Sequence, residues 1–168
     1  KNNFVTMPEI LNIINMDDQV IGQATREEIY EKKLIFRVAH VMVRNSKWDF
    51  LFQRRAAHIS SPLHWTASAW GHVHRGETYE EAAIRELAEE VWIRVSEVRA
   101  LWKFFHDGNG LPKFIYLFEA ISDDTPVFDP TEVDSVQFFT PEEAHEHVMH
   151  GEKIHWELKF LWEKLYVN

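Results

Sequence analysis

Glu86, Glu89 and Glu90 stand at i, i+3 and i+4, a spacing that turns three carboxylates onto one face of a helix. Like charges that close repel one another and weaken a bare helix, so a bound cation is the simplest reason to place them together. Hard oxygen ligands suit Mg²⁺ or Mn²⁺ rather than zinc. Arg85 lies about 100° round the helix from Glu86 and can reach back to Glu77, just before the helix, to fix its orientation. Three glutamates alone are better read as a solvated acidic face, since charge runs usually lie on the surface. The wider spacing decides between the two.

The surrounding segment runs GHVHRGETYEEAAIRELAEEVWI from Gly71 to Ile93. Gly71, Glu77, Arg85, Glu86, Leu87, Glu89, Glu90 and Ile93 fall where the Nudix box has Gly, Glu, Arg-Glu, an aliphatic, Glu-Glu and a second aliphatic. The segment resembles that box. The order "RVAHVMV", a hairpin, "LFQRR", then "WTASA" leading into the box is similar to Nudix proteins near isopentenyl-diphosphate isomerase. The resemblance implies an α/β/α sandwich with a mixed sheet and the box as loop–helix–loop, and one such domain over residues 1–168. It also implies a metal-dependent hydrolase that cuts a diphosphate bond. Glu86, Glu89 and Glu90 would be the metal ligands, with a main-chain carbonyl near residue 70. Glu77 and Arg85 would hold the ligand cluster, and the catalytic group would be Glu77, Arg85, Glu86 and Glu90. Metal would neutralise the diphosphate and lower the pKa of the water that attacks phosphorus. The proton acceptor stays open among Glu86, Glu90, Glu119 on a strand and Glu132 before one.

Outside the box, Arg54 and Arg55 end a strand near it and can hold a substrate phosphate in bidentate fashion; a surface ion pair is the plainer account. His72 and His74 alternate, so an extended chain sends both to one face, where either could touch substrate or stand as an ordinary surface histidine. His145, His147 and His150 read as a solvated helix face. Trp102, Phe104 and Phe105 could stack on a base, but a core role is preferred. The group attached to the diphosphate is expected to be read by loops 56–64 and 106–112, and its identity is open.

Three tryptophans depart from the pattern. Trp92 stands at the box glycine, where the helix ends and a left-handed residue is usual; the strain there is roughly 1–2 kcal/mol. Trp48 stands in a hairpin that favours Gly, and Trp70 where relatives commonly carry a second Gly. The expectation is that all three replace glycines of a parent sequence, and that Trp70 could displace the carbonyl ligand and impair catalysis. A catalytically impaired binding protein is therefore one rival. Isomerase chemistry is the other: His72 falls where the isomerase has a metal-binding histidine. But the chain has no cysteine, and Phe36 occupies a second histidine position.

These residues need a scaffold. Residues 9–15 and 20–22 read as a strand and its return, 26–32 as a short helix capped by Thr25, and 34–43 and 50–54 as a hairpin pair. Residues 65–73 read as extended. Thr78 to Val91 is a capped helix with Ala83, Ile84, Leu87 and Val91 as its apolar stripe. Residues 98–106, 113–121 and 133–139 read as strands. Thr140-Pro141 opens a helix, and Leu158, Leu161, Trp162 and Leu165 form an inward stripe over 155–166. This is a mixed sheet with packed helices.

Bulk properties set the remaining bounds. The chain has 168 residues, 45% of them apolar, and a formal net charge of −9. That is the size and composition of one globular domain, and the charge disfavours nucleic acid as a partner. A small-molecule diphosphate is the expected partner, with Mg²⁺ or Mn²⁺ as cofactor, and a homodimer is left open. The absence of cysteine, of an apolar leader over residues 1–5 and of any membrane-length apolar run leads to the expectation of a cytoplasmic protein.

Overall fold

The computed structural model describes residues 7–167; the leader reading of residues 1–5 lies outside them. A hairpin, β1 (Ile10–Ile14) and β2 (Val20–Thr25), leads into helix α1 (Arg26–Lys32). The main sheet follows with β3 (Phe36–Arg44), β4 (Phe50–Arg55), β5 (Trp65–Thr66) and β6 (Ala69–His72). Helix α2 (Tyr79–Glu90) comes next, then β7 (Arg99–His106), β8 (Lys113–Ile121) and β9 (Val133–Phe139), and finally α3 (Pro141–His150) and α4 (Trp156–Leu165). The sheet is mixed: β3 runs parallel to β8, and its other pairings are antiparallel. Among the described residues no helix is long and apolar enough to cross a membrane.

β3 explains the layering. As the central strand of a parallel pair it is covered on both faces, which requires a nearly continuous apolar run rather than an alternating one. Ala39, Val41 and Val43 point to one side and pack with Ala82, Ala83 and Leu87 of α2 and with Val91 at its C-terminal cap. Met42 points to the other and packs with Leu117, Ala144, Val148, Leu158, Leu161 and Trp162 under α3 and α4. Phe36 and Val38 continue that second face under α1 and the first hairpin, beside Leu11, Ile29 and Ile115. Helices on both faces of one sheet make the expected α/β/α sandwich.

The sheet forks, and the fork makes the cleft. β3 pairs with β4 only at Val43↔Leu51 and Arg44↔Phe50, and with β6 over Val38↔His72 to Val41↔Ala69. Where the two partners part, backbone groups of β3 and β4 would be left without bonds, a costly state inside a core. The Ser68 hydroxyl fills the gap: it accepts the Val43 N–H at 2.7 Å and donates to the Leu51 carbonyl at 2.5 Å. The extended stretch expected over 65–73 is therefore broken in two, and Ser68 is the wedge.

Helix α2 begins with a full capping box, Thr78 accepting from the Glu81 N–H and the Glu81 side chain accepting from the Thr78 N–H. Thr140 and Glu143 do the same for α3, with Pro141 in the first turn. Both starts follow from the Thr-x-x-Glu spacing.

Candidate active site

The loop between β6 and α2 sets the site. Gly76 turns the chain with φ of +83° and delivers Glu77, whose Oε2 accepts the His74 N–H at 2.9 Å. Gly71 has a different reason to lack a side chain. A Cβ there would meet Glu86 Oε1 at 2.0 Å, so the Glu86 carboxylate lies directly on the β6 backbone.

Arg85 is the hub. Its Nε donates to Glu77 Oε1 at 2.7 Å, and one terminal nitrogen donates to Glu86 Oε1 at 2.7 Å and Glu89 Oε2 at 3.1 Å. The other donates to the His72 carbonyl at 2.9 Å and to Glu77 Oε2 at 3.0 Å. Burial pushes the Glu77 carboxyl up, but the bonds from Arg85 and the His74 N–H outweigh it and hold the group below its ordinary range.

Glu86 and Glu90 are in the opposite condition. Both are buried. Burial raises Glu86 to about 7 against the pull of Arg85, and the nearby Glu89 and Glu132 push in the same direction. Glu90 is raised well above the ordinary range by burial and by Glu86 and Glu132. Among the described residues the donors to Glu90 are neutral: the Gln53 side-chain amide and the Trp70 N–H, the latter at 3.3 Å. One guanidinium thus serves a crowd of carboxylates. The oxygen-only donor set and this shortage of positive charge fit a hard divalent cation. Among the described residues, the side chains form no closed group of three or more metal-ligating donors, so a cation would have to draw Glu89, the exposed member, inward.

These residues line a cleft of about 720 Å³ that also receives Arg55, Glu132 and the 58–60 loop. Glu132 is raised by burial and by Asp129 and Glu89. The Arg55 guanidinium is held by Ser60 O at 2.7 Å and Ser60 Oγ at 3.0 Å, and it lies 5.0 Å over the Trp70 ring. Burial lowers its pKa, offset by the charges of Glu90, Glu132 and Glu157.

Several sequence expectations are corrected by this geometry. Arg54 does not face the cleft: its Nε donates to Asp134 Oδ2 at 2.7 Å on β9, because neighbours on a strand point to opposite faces. Glu119 lies outside the cleft too, bonded to Arg99 at 2.7 Å. His72 is not a surface histidine; it is buried, 2.7 Å from the Tyr30 hydroxyl and 3.1 Å from Glu9 Oε1, which also meets His74 at 3.1 Å. His147 packs on Phe139 at 4.6 Å, whereas His145, which accepts from Trp162 Nε1 at 3.3 Å, and His150 are exposed as expected. Trp102 and Phe104 keep the preferred packing role: they stack on each other at 4.4 Å and pack against Phe160 of α4.

The three tryptophans separate. Trp48 and Trp92 do take left-handed backbone, with φ of 69° and 55°. Their rings are exposed, so Trp92 does not press a ring against the acidic helix. Trp70 is an ordinary strand residue, paired with His40 across the ladder and stacked on it at 5.6 Å. The β6 backbone keeps its register, so no displacement of the residue-70 carbonyl is seen.

Gln53, Glu9, Tyr30 and Ser68 escaped the sequence reading. Gln53 alone left a trace, as a polar residue at an inward alternate position of an apolar strand.

The NUDIX domain family model matches residues 34–160. A "Nudix hydrolase" of Deinococcus radiodurans is 32% identical over 161 residues, 94% of each chain. "Isopentenyl-diphosphate Delta-isomerase 2" of Photorhabdus laumondii is 39% identical over 87 residues, 51% of this chain and 49% of that one. Among solved structures, DR0079 of Deinococcus radiodurans superposes with a TM-score of 0.80 at 31% identity, covering 94% of this chain and 99% of that one.

Proposed function

We propose a metal-dependent cleavage of a diphosphate bond for this chain, which belongs to the Nudix domain family and is a pyrophosphohydrolase of that type. The substrate is a small molecule carrying a diphosphate, and Glu86, Glu89 and Glu90 hold Mg²⁺ or Mn²⁺. The observation that carries the reading is the pair of buried carboxylates, Glu86 and Glu90, raised chiefly by burial and further by neighbouring glutamates, and short of cationic partners.

The cation would supply Lewis-acid neutralisation of the diphosphate and acidify a water. The chain's own residues do the rest. Arg85 and Glu77 fix the Glu86 carboxylate against Gly71, so that it does not rotate away from the reacting groups. Glu86, Glu90 and Glu132 are the carboxylates that line the cleft and can take the proton of the attacking water. Water oxygen bonds to phosphorus, the bridging P–O bond breaks, and two phosphate-bearing products leave. Arg55 faces the acidic helix across the cleft and offers a charged donor to a phosphate oxygen.

The test is a screen of nucleoside di- and triphosphates, nucleotide sugars, dinucleotides and coenzyme A with Mg²⁺, reading released phosphate or monophosphate. Turnover on at least one class, abolished by chelator and restored by Mg²⁺, is expected. Turnover that persists in chelator would sink the metal-dependent reading.

A further inference from the structure

Glu9 stands just before β1, ahead of residues 34–160 that carry the family match. It and Arg26 are the residues that this N-terminal segment sends into the cleft. One oxygen of Glu9, Oε1, lies 3.1 Å from His72 Nδ1 and 3.1 Å from His74 Nε2. Alternation along an extended chain puts both rings on one face, which is why a single carboxylate meets the two. The other ring nitrogen of His72, Nε2, lies 2.7 Å from the hydroxyl of Tyr30 on α1, so His72 has a partner at each nitrogen. Arg26 stands 3.6 Å from the far oxygen of Glu9, Oε2, beyond hydrogen-bond length. Burial pushes the Glu9 carboxyl up, but its contacts with His72, Arg26 and His74 outweigh it and bring it down to about 2. It is an acceptor at neutral pH.

The main chain of the same two residues holds the Arg85 hub. The His72 carbonyl accepts from Arg85, and the His74 N–H donates to Glu77, which Arg85 grips in turn. Arg85 also donates to Glu86, the carboxylate seated on Gly71. At His74 the chain has left the ladder of β6 with β3, which ends at His72, so side-chain anchors must set its angle. We infer that Glu9 is a positioning residue: it pins the rings of His72 and His74 so that their main chain holds Arg85 and Glu77, and through them the Glu86 carboxylate, in place for the reaction. The inference rests on the diphosphate-hydrolase reading for what Glu86 does, but the hold on Arg85 can be read without metal or substrate.

The Arg85 Nε–H signal of the metal-free full chain, assigned by its loss in Arg85→Lys, reports that hold by NMR. In Glu9→Ala the proton is expected to exchange with water at least about tenfold faster, as the segment opens more readily. Glu9→Gln, which keeps an oxygen to accept from both rings, should restore most of the protection. His74→Ala removes one of the two anchors; it should act in the same direction with a smaller effect, and it carries the test if Glu9→Ala does not fold. Asp18→Asn loosens the same hairpin where it meets Arg37, Tyr79 and Lys103; it should lower the melting temperature and leave the Arg85 proton protected. On the best substrate of the Mg²⁺ screen, Glu9→Ala should lose about 10- to 100-fold in kcat with KM little changed, and Glu9→Gln should recover most of it. A residue that only adds stability would not move kcat per folded molecule. Unchanged Arg85 exchange in a folded Glu9→Ala or in His74→Ala, or an equal loss of protection in Asp18→Asn, overturns the inference. So does a Glu9→Ala effect on KM alone. If no compound is turned over while Glu9→Ala still frees the Arg85 proton, the hydrolase reading falls alone. Turnover with Arg85 indifferent to Glu9 leaves that reading standing and removes this one.

Discussion

Two sets of buried carboxylates sit on either side of Arg55, and they are treated in opposite ways. Glu86 and Glu90 are 8% and 7% exposed and their pKa values are raised; Glu157 is 1% exposed and its pKa is lowered. Burial is therefore not what sets the charge. The difference is the company each keeps. Glu86 shares Arg85 with Glu77 and Glu89, Glu90 meets the neutral Gln53 amide and Trp70 N–H, and Glu132 pushes both up, whereas Glu157 has Lys113 to itself and His40 beside it. A carboxylate group that lacks its own cations is suited to take one from solution. A carboxylate that brings its cation along the chain needs no ion from solution.

The sharpest way to break this contrast is Glu90→Gln. Mg²⁺-dependent turnover should fall by about 10³-fold, the scale of losing one group that stabilises charge at a reacting centre. The metal-free protein should not lose stability; removing a repelled carboxylate should raise its melting temperature by about 3 °C, as expected for about 1 kcal/mol at this length. Calorimetry of the metal-free variant would contradict the account if the melting temperature fell.

On the other side, Lys113→Met strands a buried carboxylate and should cost about 3 kcal/mol in denaturant unfolding. Lys113→Met with Glu157→Gln should recover at least half of that loss, since the two residues act as one unit. Additive losses in the double variant would mean the pair is not coupled.

The Glu157 side is sensitive to acid. His155 is neutral and lowered to about 4, chiefly by burial, with Lys113, Arg55 and His40 adding to the shift. The unfolded chain binds its proton near pH 6.5 and the folded chain only near 4, so the His155 contribution is complete above about pH 6.5 and is lost as pH falls toward 4. Glu157, depressed below the ordinary carboxyl range, extends the loss below about 4.5. His155→Asn keeps an acceptor at the cap of α4 and should flatten stability against pH between 6.5 and 4. An unchanged slope in urea titrations across that range would remove His155 from the account.

The smallest effect separates the tryptophans. Trp92→Gly should stabilise the end of α2 by about 1 kcal/mol, because an exposed ring is exchanged for a residue at ease with positive φ. Trp48→Gly should gain less, since it also loses the Arg44 guanidinium 4.7 Å over its ring. Trp70→Gly should lose stability, having stacking on His40 and no strain to relieve. Thermal melts of the three variants check the order and the change of sign.

Much of the acidic side was legible because it is local. Glu77, Arg85, Glu86, Glu89 and Glu90 fall within fourteen consecutive residues, and helical spacing converts directly into a shared face. The capping boxes at Thr78 and Thr140 were legible for the same reason. Arg54 was misread because two adjacent arginines look equivalent until strand alternation assigns them to opposite faces. Trp70 was misread because a motif position was taken as a backbone requirement, which only Trp48 and Trp92 meet. Gln53 left only its polarity at an inward strand position, and Ser68 depends on where the sheet forks, which nothing within its own segment marks. Glu157 meets Lys113 forty-four positions away, through two elements whose relative placement no periodicity encodes.

The most direct test of the contrast is Mn²⁺ binding followed by electron paramagnetic resonance on the unmodified chain, Glu90→Gln and Glu157→Gln. The account predicts bound Mn²⁺ in the unmodified chain, affinity reduced by at least about tenfold in Glu90→Gln, and affinity unchanged in Glu157→Gln. Equal affinity in the unmodified chain and Glu90→Gln, or loss of the ion in Glu157→Gln, would contradict it.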